Sequence, residues 1–291
     1  APALPAGLPT STEAARFLTQ STFGPLRSEI AAVQAQGYNA WIDAQLALPY
    51  TAHRAATVSD YRIFGGQSNG LYGPSNRQAA WWKNAVTAPD QLRQRVAFAL
   101  SEILVISDNG GDFAVEAVAN YYDILGNGAF GNFRTLLENV TLSPMMGEYL
   151  SSLRNAKATF DTAGNAITTP DENYARELAQ LFSVGLVQLN IDGSVRNDAS
   201  GQPIPTFGQV ETEGFARVFT GWNWACPSTN PTCTFNNTRV ELGYSANFNQ
   251  VKPMQLYADQ HETGTKQLLN YSGVTLPNGL LPANQTGAKD L

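Results

Sequence analysis

The stretch from Thr169 to Gly185, Thr-Pro-Asp-Glu-Asn-Tyr-Ala-Arg-Glu-Leu-Ala-Gln-Leu-Phe-Ser-Val-Gly, gathers acids, amides and an arginine beside an apolar stripe. The chain as a whole is only 14% charged, against about 25% in ordinary soluble domains. On a helix, Asn173, Glu177 and Gln180 share one face, bordering Tyr174, Leu178, Leu181, Phe182 and Gly185. Such a face walls a cleft, fills a buried network or is a solvated helix face. In a cleft, Glu177 is the candidate general acid or base, with Glu172 or Glu102 as its partner. A pair of carboxyls at roughly 5–10 Å is the arrangement that splits glycosidic bonds. Asn173, Arg95 and Arg176 would orient the substrate, the guanidinium groups by bidentate bonds.

Two further segments add candidates. Arg217, Thr220, Gly221 and Trp222 end a helical pattern, and an indole beside a glycine offers a stacking surface for rings. His261-Glu-Thr-Gly-Thr-Lys266 places His261, a candidate acid/base, and Lys266 around a glycine turn. Each has a plainer reading as a core tryptophan or a surface histidine. The expected metal set is empty. Clustered carboxylates could hold Ca²⁺, although no acidic loop has the spacing of a calcium motif. No Gly-x-Ser-x-Gly elbow, His-Glu-x-x-His pair, P-loop or dinucleotide fingerprint occurs.

These residues need elements to position them. The capping spacing of Thr169, Pro170 and Glu172 starts one helix. A stripe of Leu92, Val96, Ala99, Leu100 and Ile103 predicts another from Pro89, carrying Arg95 and Glu102 on one face and stopping at Asp108-Asn-Gly-Gly. Before it, Ser11 or Thr12 caps a helix that breaks at Phe23-Gly-Pro25. Ser28 caps a second that ends at Gly37, and a third runs through Trp41 to Pro49. Residues 65–76 read as a loop. Helices follow at Tyr121–Leu125, Asn132–Leu142, from Ser143-Pro144, and at Glu211–Gly221. Val187–Ile191 and Pro203–Phe207 predict a small β-hairpin with Asp192-Gly193 in the connection. Beyond Trp222 the chain reads as loop-rich.

The expected class is therefore mainly α: an irregular multi-helix globular domain, residues 11–291, behind a Pro/Ala tether of residues 1–10. The 291 residues are 43% hydrophobic and carry a net charge of −6. No basic run offers a nucleic-acid footprint, and no segment reaches the roughly 20 apolar residues of a membrane span. Cys226 and Cys233 bracket a turn-rich segment and read as a local disulfide, the alternative being two free thiols. The opening Ala1-Pro-Ala-Leu-Pro reads as the end left by signal-peptide removal, or as a mere sequence boundary.

Four segments together resemble one bacterial group: Ala14-Ala-Arg-Phe-Leu-Thr-Gln-Ser-Thr-Phe-Gly24, Leu92-Arg-Gln-Arg-Val-Ala-Phe-Ala-Leu-Ser-Glu102, Glu172-Asn-Tyr-Ala-Arg-Glu-Leu178 and Ala216-Arg-Val-Phe-Thr-Gly-Trp222. The chain resembles the secreted family of domain of unknown function 1800 over nearly its whole length. His261-Glu-Thr-Gly-Thr-Lys266 is similar to that family's His-Asp-Thr-Gly-Glu-Lys, with Glu262 and Thr265 as departures. The resemblance implies a mainly helical, exported protein, without a common activity, and a further helical region after a segment like Ala288-Lys-Asp-Leu291. Two functions are carried forward. One is an extracellular or periplasmic hydrolase acting on a glycan or similar polymer, without a cofactor. The other is a non-enzymatic cell-surface, adhesion or assembly protein. The expected partner is an extracellular polysaccharide or another surface protein.

Overall fold

The computed structural model describes residues 7–63, 73–107, 114–227, 232–237, 249–271 and 273–283. Among these the protein is mainly helical, with β-structure limited to two-stranded ladders and isolated bridges. It divides into two compact units, residues 1–108 with 112–140, and residues 109–111 with 141–291.

In the first unit, α1 (Ser11–Ser21) begins at Thr10, just before the expected cap. The Glu13 carboxylate takes the Thr10 N–H and hydroxyl, both at 2.8 Å, while Thr10 Oγ1 accepts from the Glu13 N–H. Such a box is worth about 1 kcal/mol. α2 (Arg27–Ala47) bends sharply at Gly37, whose φ of 82° marks the expected helix end as a kink. Around the bend, Phe17 meets Tyr38 and Trp41 ring to ring, over Ala14, Leu18 and Val33. The pattern left α3 (His53–Ile63) and α4 (Pro74–Thr87) unassigned. Most of the 65–76 loop and the Asp108-Asn-Gly-Gly stop lie outside the described residues.

α5 (Gln91–Ile103) corrects the apolar-stripe expectation: Ala99 and Ile103 are exposed, and the buried face is Gln91, Gln94 and Ala97. The amides go inside because backbone groups there need partners. Gln91 donates to Ala85 O and Ala88 O and accepts from the Phe23 N–H. Gln94 donates to Thr51 O and Asp90 Oδ2, and Gln45 spans Pro89 O and the Leu92 N–H. Each such group left unmade would cost about 1–3 kcal/mol, enough to outweigh a half-buried aliphatic side chain. α6 (Val115–Gly128) packs against α3 and α5, and α7 (Phe133–Thr141) closes the unit.

In the second unit, α8 (Pro144–Tyr149) starts as expected, with Ser143 before it and proline in its first position. β1 (Thr159–Phe160) and β2 (Ala166–Thr168) join through a turn in which Asp161 Oδ1 accepts the Ala163 and Asn165 N–H groups. α9 (Asn173–Gln180) is shorter than its pattern. The two segments expected to pair after it do so, with a third segment closing a triangle. The Gln188 N–H donates to Ile204 O, Ile204 to Arg196 O, and Arg196 to Gln188 O. Turns at Asp192-Gly193 and at Asp198–Gly201 supply the third segment, and Val187 still pairs with Pro205. α10 (Gln209–Val218) leads into β3 (Trp222–Asn223), which pairs antiparallel with β4 (Gln255–Leu256). β5 (Lys266–Gln267) pairs with β6 (Leu280–Leu281). Buried Tyr174 anchors this unit, its ring against Phe219 and its hydroxyl 2.6 Å from Thr141 Oγ1.

Candidate functional site

Two of the sequence segments meet in the second unit. Thr220 holds the start of the His261–Lys266 turn, its carbonyl 2.8 Å from His261 Nδ1 and its hydroxyl accepting the Glu262 N–H at 2.8 Å. That contact makes Nδ1 the protonated ring nitrogen. The Glu262 carboxylate accepts the Gly264 N–H and lies 3.7 Å from the Arg217 guanidinium. Lys266, fully buried, reaches Gly264 O. Trp222 is buried as well, so its ring is no open stacking surface. Asn155 ties the junction to α9: its amide donates to Ala216 O and Asp171 O, and its Oδ1 accepts the Asp171 N–H. Its pairing with that backbone is what the sequence reading missed. Arg217, Trp222, His261 and Lys266 thus gather in a packed junction.

The α9 residues are arranged differently. The expected Thr169–Glu172 capping box is absent. With Asp171 held by Asn155, its Oδ1 accepts the Asn173 N–H and the helix begins later. Glu172 instead accepts from Arg176 at 2.9 Å and from Gln209 at 2.9 and 3.0 Å. Asn173, Arg176 and Leu181 are exposed. The Glu172–Arg176 pair is therefore worth only about 0.3–0.5 kcal/mol. Glu177 is half-buried, and its Oε2 is enclosed without a hydrogen-bond partner. Arg95 and Glu102 belong to the first unit. There the Arg95 guanidinium stacks on Phe23 and Phe98, 5.2 and 5.9 Å from their centroids, and Glu102 is exposed.

The first unit also holds an open cleft of about 340 Å³ that no sequence motif announced. Its walls come from three helices. α4 supplies Arg77, Gln78, Trp81 and Trp82, at i, i+1, i+4 and i+5, hence on one face. α5 adds Phe98 and Ser101, and α6 adds Tyr121 and Tyr122. Trp81 is fixed edge-on to Phe23 and to Trp82, at 5.4 and 5.0 Å. Trp82 itself is 63% exposed. The Tyr121 hydroxyl is spent on Leu104 O at 2.6 Å. Burial pushes the Tyr122 hydroxyl up to about 12, so it stays a neutral donor. The helical spacing of the α4 set was the available signal.

Behind Tyr122 lies a cluster of titratable groups. The His53 ring is 5.4 Å from that of Tyr122, and burial, helped by the Arg77 charge, pushes its pKa down to about 3. The imidazole is therefore neutral at physiological pH. Asp123 accepts from the Tyr50 hydroxyl and from the His53 and Arg54 N–H groups, at 2.9, 2.6 and 3.1 Å. Arg54 Nε bonds buried Glu116 at 2.7 Å. Perturbed groups beside an aromatic cleft are the usual company of a ligand site.

Among the described residues, no three His, Cys, Asp or Glu side chains gather as a metal site, and no helix is long and apolar enough to cross a membrane. Cys226 and Cys233 form the expected disulfide. The family model described as protein of unknown function (DUF1800) matches residues 16–289. No curated protein and no solved structure matches the chain.

Proposed function

Because the chain belongs to the DUF1800 family, whose description names no activity, we propose from its geometry that it is an extracytoplasmic glycan-binding protein. The cleft of the first unit is its site. The observation that carries this reading is the aromatic lining with an exposed tryptophan at its rim. A pyranose ring has an apolar C–H face and a belt of hydroxyls. Trp81 and Trp82 suit the face; Gln78, Ser101 and Arg77 suit the belt. Trp82, 63% exposed and edge-on to Trp81, leaves an aromatic face at the cleft open to a ligand. The disulfide fits an oxidising compartment.

Titration calorimetry with soluble oligosaccharides from neutral and acidic polysaccharides tests it. Trp82→Ala, which removes an exposed ring, is expected to weaken binding at least tenfold with the fold intact. An array of such glycans to which the wild type shows no binding overturns the proposal.

One observation in the second unit favours a second reading, hydrolysis of a glycan bound there. The enclosed, unpartnered Oε2 of Glu177 is an acid/base candidate, beside a Glu172 already engaged by Arg176 and Gln209. Reducing-end release by wild type should then fall at least a hundredfold in Glu177→Gln. Equal turnover by the two proteins ends that reading.

A further inference from the structure

Cys226 and Cys233 are each partly exposed, whereas Trp224, Phe235 and Tyr257 around them are buried. The Tyr257 hydroxyl lies 2.9 Å from Cys233 Sγ and 3.7 Å from Cys226 Sγ, and donates to Trp224 O at 2.9 Å. Tyr257 is 6% exposed, its ring edge-on to Phe235. Its N–H donates to Gly221 O at 2.8 Å, and its carbonyl accepts the Gln260 N–H. Gly221 has a φ of 84°, and a Cβ there would stand 2.9 Å from Tyr257 O and 3.0 Å from the His261 nitrogen. An unbroken line of contacts thus runs from the partly exposed disulfide through Tyr257 to the Thr220–His261 junction.

We propose that the Cys226–Cys233 bond is a redox latch on that junction. A small dithiol, or a protein carrying a paired thiol, attacks one sulfur and forms a mixed disulfide. Its second thiol then displaces the protein, leaving two cysteine thiols and an oxidised reductant. Two electrons and two protons move to the chain, one S–S bond breaks and one forms. The two separated thiols no longer hold sulfur over the Tyr257 hydroxyl, so water reaches it and the Tyr257–Gly221 contact loosens. The junction is held in an oxidising compartment and released in a reducing one. This device lies in the second unit and is independent of the glycan reading of the first.

Amide hydrogen exchange of the full chain, with and without dithiothreitol, tests the latch. Exchange at Gly221, Tyr257 and Glu262 is expected to rise at least tenfold on reduction, while the α9 amides stay unchanged. In the double variant Cys226→Ser, Cys233→Ser the same amides should exchange fast and ignore the reductant. A rise confined to residues 226–237 overturns the proposal. So does a loss of protection that includes α9, because the bond would then staple the whole unit.

Discussion

Gly214→Ala is expected to cost about 3 kcal/mol or more, although alanine is the better helix former by about 1 kcal/mol. Gly214 sits inside α10, where the helix packs on β5. An added Cβ would fall 1.7 Å from Gln267 O and 2.8 Å from its carbonyl carbon. The obstacle is backbone, paired in the β5–β6 ladder through Gln267 and Leu280, so no rotamer change relieves it. Steric displacement therefore outweighs propensity. Urea unfolding of the two proteins measures the difference. A loss below 1 kcal/mol would mean that β5 shifts freely, and that α10 does not depend on so close an approach.

Asp123→Ala should be nearly as damaging, at about 3 kcal/mol. It strands the Tyr50 hydroxyl and the two N–H groups that open α3, each unmet donor costing about 1–3 kcal/mol when buried. The carboxyl also gives the effect a pH dependence. Burial raises the Asp123 pKa, against the opposing pull of Tyr50, His53 and Arg54. Between the unfolded value near 3.9 and the raised folded value, the folded chain therefore holds more proton at this site. Its contribution is complete below the unfolded value and declines as pH rises through the folded one. Thermal unfolding of wild type and Asp123→Asn from pH 3 to 8 isolates it, because the titration of His53 is common to both. The stability gap should narrow as pH rises, and a gap that widens would assign Asp123 a lowered pKa instead.

The helical class was legible because local signals agreed with the packing. Gly37, Ser143-Pro144 and the run through Leu136 and Val140 acted through backbone conformation and the helical period, which neighbours did not override. α5 shows where that logic fails. Its pattern placed leucine and isoleucine inward, but Thr51 O, Ala85 O and Ala88 O needed donors, and Gln91 and Gln94 supply them. No hydropathy pattern knows which carbonyls will lack partners. α9 fails for a related reason: Asn155, distant in sequence, fixed Asp171 and set the helix start.

The candidate site divides in the same way. Residue order alone pointed to the family, the mainly helical character and a local Cys226–Cys233 disulfide, since each depends on composition or on neighbours along the chain. Only the tertiary structure decided that His261 and Lys266 are packed in a junction, that Arg176 is exposed, and that Trp81, Phe98 and Tyr122 face one cleft. Burial and convergence depend on which helices meet, and that choice is made by contacts between residues far apart in the chain.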